Sequence, residues 1–190
     1  MPSTADFPVR IPPLPYDRFT PEQDRLVGGW HHLNFSKVLI RHPHMYGTFV
    51  PWLRAVIAET SLPPRDRQIV CLRMLHLCGD VYEWSHHVTI SGRTGLNEQE
   101  IADMTAGGGP SLSPRDKVIL RATEELQRDQ FVSDATWAQL GEGYTSEQQM
   151  ELVFLAGCYL TMAMLTKSFG MQLEPDEADH AAVNALRTYT

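Results

Sequence analysis

Cysteine is scarce in this sequence: Cys71, Cys78 and Cys158 are the three in 190 residues. So small and odd a set cannot build the disulfide framework of a secreted scaffold, and it favours a reducing, cytoplasmic location. Basic residues are also few, since 16 Lys and Arg face 23 Asp and Glu for a net charge of −7. Because no basic run occurs anywhere, nucleic acid is excluded as the expected partner.

Targeting and membrane segments are missing as well. The first residues do not combine a charged start with an apolar block, so no signal peptide is expected. The longest apolar run, Leu152 to Leu165, is shorter than the roughly 20 residues that cross a bilayer. No membrane partner is therefore expected.

Strand signals are absent, whereas helix start and stop signals recur along the chain. There is no alternating strand pattern and no Asn-Gly hairpin, so the class is all-α, with about seven to eight helices. The predicted helices run from Thr20 to the His31 region, Pro43 to about Glu59, Pro64 to Leu77, Val81 to about Thr94, 96–107, Pro114 to about Gln130, from Ser133 or Asp134 onward, and Glu147 to Phe169.

The domain boundaries follow from proline content. Five of the 13 prolines fall in residues 1–18, which predicts an extended arm, either lying on a neighbouring subunit or loosely held. Residues 19–175 form one helical domain and residues 176–190 a C-terminal tail. The last long helix is apolar almost all round, so it is either the central core helix or part of a subunit interface. A homo-oligomer, as a dimer, trimer or hexamer, is expected.

A short motif occurs twice in the chain. Residues 61–73, SLPPRDRQIVCLR, resemble residues 111–123, SLSPRDKVILRAT, with Ser-Leu-x-Pro-Arg-Asp before an apolar helix in both. The repeat indicates either a duplicated two-helix unit or two ordinary helix starts with Pro in the first turn.

The stretch LCGDVYEWSHHV, residues 77–88, carries the chemistry. Glu83 and His87 lie four residues apart on the predicted fourth helix, so they share one face. A carboxylate there could orient the imidazole and raise its basicity, as a general base requires. Three alternatives remain open: Glu83 as a capping-box acid after Asp80, His87 as a core histidine, and a metal site completed by His31, His32, His76 or His86.

The residues NFSKVLIRHPHMYGTF, then 61–96, then ELVFLAGCYLTMAMLTKSFGMQLEP, resemble the carboxymuconolactone decarboxylase-like family, to whose superfamily the alkyl hydroperoxidase D-like (AhpD-like) proteins belong. The resemblance implies an oligomeric all-helical bundle with pockets between helices. The peroxidase branch has Cys-x-x-Cys-x-x-x-His with an upstream Glu. Aligned on His87, this chain has Asp80, Glu83 and Gln68 at those positions. A thiol peroxidase needs sulfur there, so hydroperoxidase activity is disfavoured.

The surviving expectation is a cofactor-free, decarboxylase-like lyase or isomerase acting on a small cyclic or aromatic oxygenated acid or lactone. The predicted catalytic residues are His87 and Glu83, and the predicted substrate-binding residues are Gln68, Trp84, Tyr82 and His86, with Arg67 or Arg73 as a carboxylate partner. Neither a metal nor another cofactor is expected. The alternatives are a thiol-dependent hydroperoxide reductase using Cys78 and a non-catalytic oligomeric binding protein.

Overall fold

The computed structural model describes residues 7–174, and this part of the chain forms nine α-helices and no strand, which confirms the all-α prediction. The helices are α1 Pro21–Val27, α2 Asn34–Leu39, α3 Pro43–Ala58, α4 Pro64–Cys78, α5 Val81–Ser91, α6 Glu98–Thr105, α7 Pro114–Asp129, α8 Asp134–Gly141 and α9 Ser146–Phe169. One helix more than predicted is present because a 3-10 turn at Gly28–Trp30 ends α1 and α2 begins separately.

Helix ends follow the local signals in the sequence. Thr20, Ser113 and Thr145 each form a complete capping box, in which the cap side chain and the side chain three residues later exchange hydrogen bonds with the backbone. Gly79 and Gly170 end α4 and α9 in the left-handed conformation. These local bonds explain why most boundaries were predictable.

The centre of the bundle is α4. It packs against α5, α6, α7 and α9, and residues 68–75 are buried without interruption. By contrast, α9 packs one side against α3, α4, α5, α7 and α8 and leaves the other side open. One side of α9 therefore belongs to the core, and its other side is an exposed apolar face.

The length and composition of α9 bear on whether it could span a membrane. Its 24 residues are long and apolar enough to span a bilayer by length and composition, because the helix extends beyond the apolar run seen in the sequence. Core helices of soluble proteins share that property, and the contacts of α9 with five other helices place it in the bundle.

The repeated motif forms a reciprocal contact between α4 and α7. Arg65 pairs with Asp116 at 3.0 Å, and Arg115 pairs with Asp66 at 2.8 Å. The arginine of each motif thus forms an ion pair with the aspartate of the other motif, as expected for two units related by a two-fold axis. This exchange supports the interpretation of a duplicated two-helix unit.

The proline-rich arm, over its described residues 7–15, is non-helical and packs on its own chain. The Ile11 N–H donates to the Phe169 carbonyl at 3.1 Å, and the Leu14 N–H donates to the Lys37 carbonyl at 2.9 Å. Arg41 donates to the Pro12 carbonyl at 2.7 Å. These bonds hold residues 11–14 of the arm against α2 and α9 of the same chain. Residues 1–6 and the predicted tail 176–190 lie outside the described residues.

Candidate active site

The start of α5 sets the direction of the Glu83 side chain. Asp80 caps the helix by accepting the Glu83 N–H at 3.3 Å, and its other carboxylate oxygen accepts the Thr166 hydroxyl at 2.8 Å. The Asp80 N–H, which a capping-box glutamate would bind, is already donated to the Leu75 carbonyl at 2.9 Å. The Glu83 carboxyl is therefore not a cap.

Glu83 instead faces an apolar cavity. We call this the Glu83 cavity; its walls include Leu33, Phe35, Leu53, Met162 and the rings of Tyr82, His86, His87 and Tyr159. The Glu83 side chain is 7% exposed, and within residues 7–174 its carboxyl has no hydrogen-bond partner. Burial, and next the charge of Asp80, raise the pKa of Glu83 to about 8. The carboxyl is therefore protonated at neutral pH.

His86, next to Glu83 in the cavity wall, carries a fixed positive charge. Its Nδ1 lies 2.8 Å from the Tyr82 carbonyl, and its Nε2 lies 3.1 Å from Glu174 Oε2, in ion-pair rather than linear hydrogen-bond geometry. Burial disfavours the charge, but the interaction with the ionised Glu174 outweighs it and raises the pKa of His86. His86 Nδ1 is hydrogen-bonded and Nε2 faces Glu174 as an ion pair, so His86 contributes a charge to the cavity wall.

Glu174 is itself held by several donors. The Tyr82 hydroxyl donates to Glu174 Oε1 at 2.6 Å, and the Asn34 N–H donates to the same oxygen. Burial opposes ionisation, yet these bonds and His86 lower the pKa of Glu174. The result is a buried, ionised pair behind the cavity wall.

The His87 ring is held between α4 and α9. Its Nδ1 lies 3.2 Å from Gln68 Oε1, and its Nε2 lies 3.0 Å from the Tyr159 hydroxyl. Burial, and then the charge of His86, lower the pKa of His87 to about 3. The ring is therefore neutral at physiological pH.

The neighbouring bonds determine the His87 tautomer. The Ser91 hydroxyl donates its single proton to the His87 carbonyl at 2.7 Å. Towards Gln68, 3.0 Å away, the Ser91 oxygen can therefore act only as an acceptor, so the Gln68 amide group presents its N–H to it. Gln68 also donates to the His87 carbonyl at 2.7 Å, which directs its amide oxygen to His87 Nδ1. His87 therefore carries its proton on Nδ1 and accepts the Tyr159 hydroxyl at Nε2.

The hydrogen bond predicted between Glu83 and His87 is not formed. The two residues do share a helix face and line the same cavity, as their spacing indicates. Both nitrogens of His87, however, are bonded to Gln68 and Tyr159. The four-residue spacing determines only that the two side chains lie on one face of α5. The hydrogen bonds of His87 are determined by residues of α4 and α9.

The other predicted site residues differ in position. Tyr82 and His86 line the Glu83 cavity. Gln68 lines an adjoining cavity, which we call the Arg67 cavity, whose walls include Arg67, Cys71, His87, Leu155 and Tyr159. Trp84 packs its ring 5.7 Å from that of His76. Arg73 is bound to Glu124 at 2.6 Å and to the Met104 carbonyl at 2.6 Å, so it is not available to a ligand.

Two residues of the site were not predicted from the sequence. Tyr159 had a usable signal, because a hydroxyl in an otherwise apolar helix must find a partner when it is buried. Glu174 had none, because its partner Tyr82 lies 92 residues earlier in the chain.

Thiol and metal chemistry have little support in the described geometry. Cys71, Cys78 and Cys158 are all free thiols, and burial raises the pKa of each. Within residues 7–174, no group of three or more His, Cys, Asp or Glu side chains is arranged to hold a metal ion.

Comparison with known proteins supports the resemblance seen in the sequence. Residues 43–125 match the carboxymuconolactone decarboxylase family. A solved structure from Ralstonia eutropha JMP134, an uncharacterized peroxidase-related protein with an alkylhydroperoxidase AhpD core, superposes with a TM-score of 0.70 at 18% identity, covering 94% of this chain and 92% of that one.

A second solved structure, from Agrobacterium tumefaciens, is a protein of unknown function provisionally described as an antioxidant defence protein AhpD. It superposes with a TM-score of 0.68 at 18% identity, covering 76% of this chain and 99% of that one. No curated protein matches the chain. At these identities the superpositions show the fold alone, and the family match extends over residues 43–125, so the chain is similar to the carboxymuconolactone decarboxylase and AhpD-like proteins in its fold and in this segment.

Proposed function

We propose that the protein is a cofactor-free acid–base enzyme, a decarboxylase-like lyase or an isomerase, in which Glu83 carries the proton. Its substrate would be a small cyclic or aromatic oxygenated acid or lactone. The observation that carries the proposal is the Glu83 carboxyl, buried, unpaired within the described residues and facing an apolar cavity. A carboxyl with a pKa of about 8 can both give and take a proton near neutral pH.

In a decarboxylation, the bond between the ring carbon and the carboxylate breaks and CO2 leaves. The electron pair moves into a conjugated carbonyl of the substrate. Glu83 then gives its proton to the carbanionic carbon, becomes a carboxylate and regains a proton from solvent. The neighbouring charge of His86 stabilises the Glu83 carboxylate, because it acts to lower the pKa of that carboxyl. An isomerisation would use the same group to remove a proton from one carbon and return it to another.

His87 receives a different role from the one expected. With a pKa of about 3 and both nitrogens bonded, it is a positioning residue and not the proton carrier. Together with Tyr159 it forms the wall shared by the Glu83 and Arg67 cavities.

The test is turnover of a panel of lactones and oxo-acids by the wild type and by Glu83→Gln. We expect Glu83→Gln to abolish turnover, because the amide cannot exchange a proton, while Glu98→Gln, an exposed glutamate of α6, leaves it unchanged. Carbon-13 NMR should show one carboxyl titrating near pH 8 that is missing in Glu83→Gln. Full activity in Glu83→Gln would refute the assignment. Ligand binding without any turnover would favour a non-catalytic binding protein.

One observation keeps thiol chemistry as a second candidate. Cys71, rather than the expected Cys78, lines a cavity beside His87 and Tyr159. Its buried thiol has a raised pKa, however, and a peroxidatic cysteine must be a thiolate. Hydroperoxide reduction with an external dithiol that is lost in Cys71→Ser and retained in Cys78→Ser would establish this function instead.

We also propose that the protein acts as a homo-oligomer in the cytoplasm. One side of α9 carries Met150, Val153, Phe154, Gly157 and Met164, all exposed and none charged. In an antiparallel pair of these helices centred on Gly157, Met150 would face the partner's Met164, so the stripe complements itself. Phe154→Glu should convert the oligomer to a monomer in light scattering, whereas Glu142→Gln should not. An oligomer that persists in Phe154→Glu would exclude this face.

A further inference from the structure

We propose that Arg67 anchors the anionic group of the ligand, so that the Arg67 cavity selects small carboxylates with an apolar body. The inference goes beyond the proposed function, because the Arg67 cavity meets the Glu83 cavity at the wall of His87 and Tyr159 and is not itself lined by Glu83. It rests on the polar side chains that line the cavity, and on which of their hydrogen-bond donors are already used and which are not.

Arg67 differs from the other arginines of its helix. Arg65 pairs with Glu100 at 2.7 Å and with Asp116 at 3.0 Å, and Arg73 pairs with Glu124 at 2.6 Å. Arg67 lies within ion-pair distance of no carboxylate in residues 7–174. The one hydrogen bond of its side chain there is from Nη1 to the Leu62 carbonyl at 2.7 Å. That bond orients the guanidinium and leaves the Nε and Nη2 donors for another acceptor.

The remaining polar side chains of the cavity are already committed. Gln68 bonds the His87 carbonyl, Ser91 and His87 through its amide group. Thr94 donates its hydroxyl to the Ser91 carbonyl at 2.8 Å, and Tyr159 donates to His87. Arg67 is therefore the cavity-lining side chain, among those described, that holds unused strong donors.

The rest of the wall is apolar. It is formed by Ile57, Pro64, Ile90 and Leu155, and the cavity is partly open to solvent. A guanidinium remains charged under all physiological conditions and matches the two oxygens of a carboxylate. A cation without an acidic partner, set in an apolar wall, favours a ligand that is anionic at one end and apolar at the other.

Benzoate is a suitable probe because it has this form, and benzamide is its uncharged counterpart. Isothermal titration calorimetry should show that wild type binds benzoate at least about tenfold more tightly than benzamide, the usual magnitude for one charge-assisted contact. Arg67→Gln should lose this preference. Arg67→Lys, which keeps the charge and a donor for the Leu62 carbonyl, should retain part of it.

Arg93→Gln is the matched control, because it makes the same change of charge at an exposed position next to Thr94. It should bind benzoate as wild type does. Equal affinity of wild type for benzoate and benzamide, no binding of benzoate, unchanged benzoate affinity in Arg67→Gln, or an equal loss in Arg93→Gln would each overturn the proposal. If Arg67→Gln is poorly folded in circular dichroism, Arg67→Lys decides by whether it prefers benzoate to benzamide.

The result is independent of catalysis. Glu83→Gln should bind benzoate normally even though it is expected to lose turnover, because Glu83 is a proton carrier and not an anion anchor. Loss of turnover in Glu83→Gln without any benzoate preference in wild type would reject the Arg67 proposal alone. Benzoate selection by Arg67 with unimpaired turnover in Glu83→Gln would reject the Glu83 assignment alone.

Discussion

Arg65 in the first Ser-Leu-x-Pro-Arg-Asp motif lies 3.0 Å from Asp116 in the second, and the reverse pair, Arg115 with Asp66, closes at 2.8 Å. The two pairs are not equally buried. Arg65 is 28% exposed and also holds Glu100, whereas Arg115 is 48% exposed and its aspartate has a second donor in Tyr144. We therefore expect the two ion pairs to contribute unequally to the stability of the fold.

Replacing each arginine by methionine should reveal this inequality. Arg65→Met leaves the buried carboxylates of Glu100 and Asp116 without their shared cation and should lower the free energy of unfolding by about 3 kcal/mol. Arg115→Met leaves Asp66 bonded to Tyr144 and should cost about 1 kcal/mol. Urea unfolding at pH 7 measures both values, and equal losses would contradict the interpretation.

The raised pKa of Glu83 predicts a stability that falls with rising pH. The folded chain keeps this proton up to about pH 8, whereas the unfolded chain loses it near the ordinary value of 4.5. The contribution is therefore complete below about pH 4.5 and is lost as pH rises through 8. Glu83→Gln should flatten the slope of unfolding free energy against pH in this window, by up to about 1.4 kcal/mol per pH unit.

Urea unfolding at several pH values between 5 and 8.5 measures that slope. His86 contributes a loss of its own between pH 6.5 and about 9, which Glu83→Gln should leave partly in place. Glu98→Gln should reproduce the wild-type curve. A slope unaffected by Glu83→Gln would mean that this carboxyl ionises normally in the folded protein.

Glu174 determines the charge of His86. In Glu174→Gln the amide oxygen can still accept from Tyr82 and Asn34, but the counter-charge is gone and burial disfavours the imidazolium. NMR titration should show the pKa of His86 falling from about 9 to below 6.5, and stability at pH 7 should drop by about 3 kcal/mol.

The control for this change is Glu151→Gln, whose carboxylate bonds Ser61 and lines neither of the two cavities. That variant should leave the His86 titration unchanged. An unshifted His86 in Glu174→Gln would show that the ion pair does not hold the charge.

His87 should be observed as the neutral Nδ1–H tautomer. Nitrogen-15 NMR of the wild type should show this form down to about pH 4, because burial keeps the pKa of the ring near 3. Tyr159→Phe removes the donor at Nε2, so the Nε2 resonance should shift and stability should fall by about 1 to 2 kcal/mol. An Nε2–H tautomer in wild type would mean that the Gln68 amide points the other way.

The sequence was a good guide where interactions are local. Caps such as Thr20 and Ser113 bond within three residues, so most helix starts were predictable. The candidates on α5 were also recoverable, because helical spacing alone places Glu83 and His87 on one face. The hydrogen-bond partners of His87 were not predictable, because Gln68 and Tyr159 lie on other helices. They occupy the two ring nitrogens that Glu83 was expected to reach.

The fold boundary that was missed has a local cause instead. A helix was expected to run from Thr20 to the His31 region, but Gly28 has a φ of 55° and the chain turns there before α2. Glycine readily adopts a positive φ, so Gly28 is a helix-stop signal present in the local sequence, as Gly79 and Gly170 are at the ends of α4 and α9. The prediction that the helix continues to the His31 region overlooked this signal.

The ionised acid behind the cavity wall is supplied by the segment that follows α9. During synthesis, the helices that form the walls of the pocket leave the ribosome before Glu174 does. The pairing of Glu174 with Tyr82 and His86 can therefore form only after the segment beyond α9 has been synthesised.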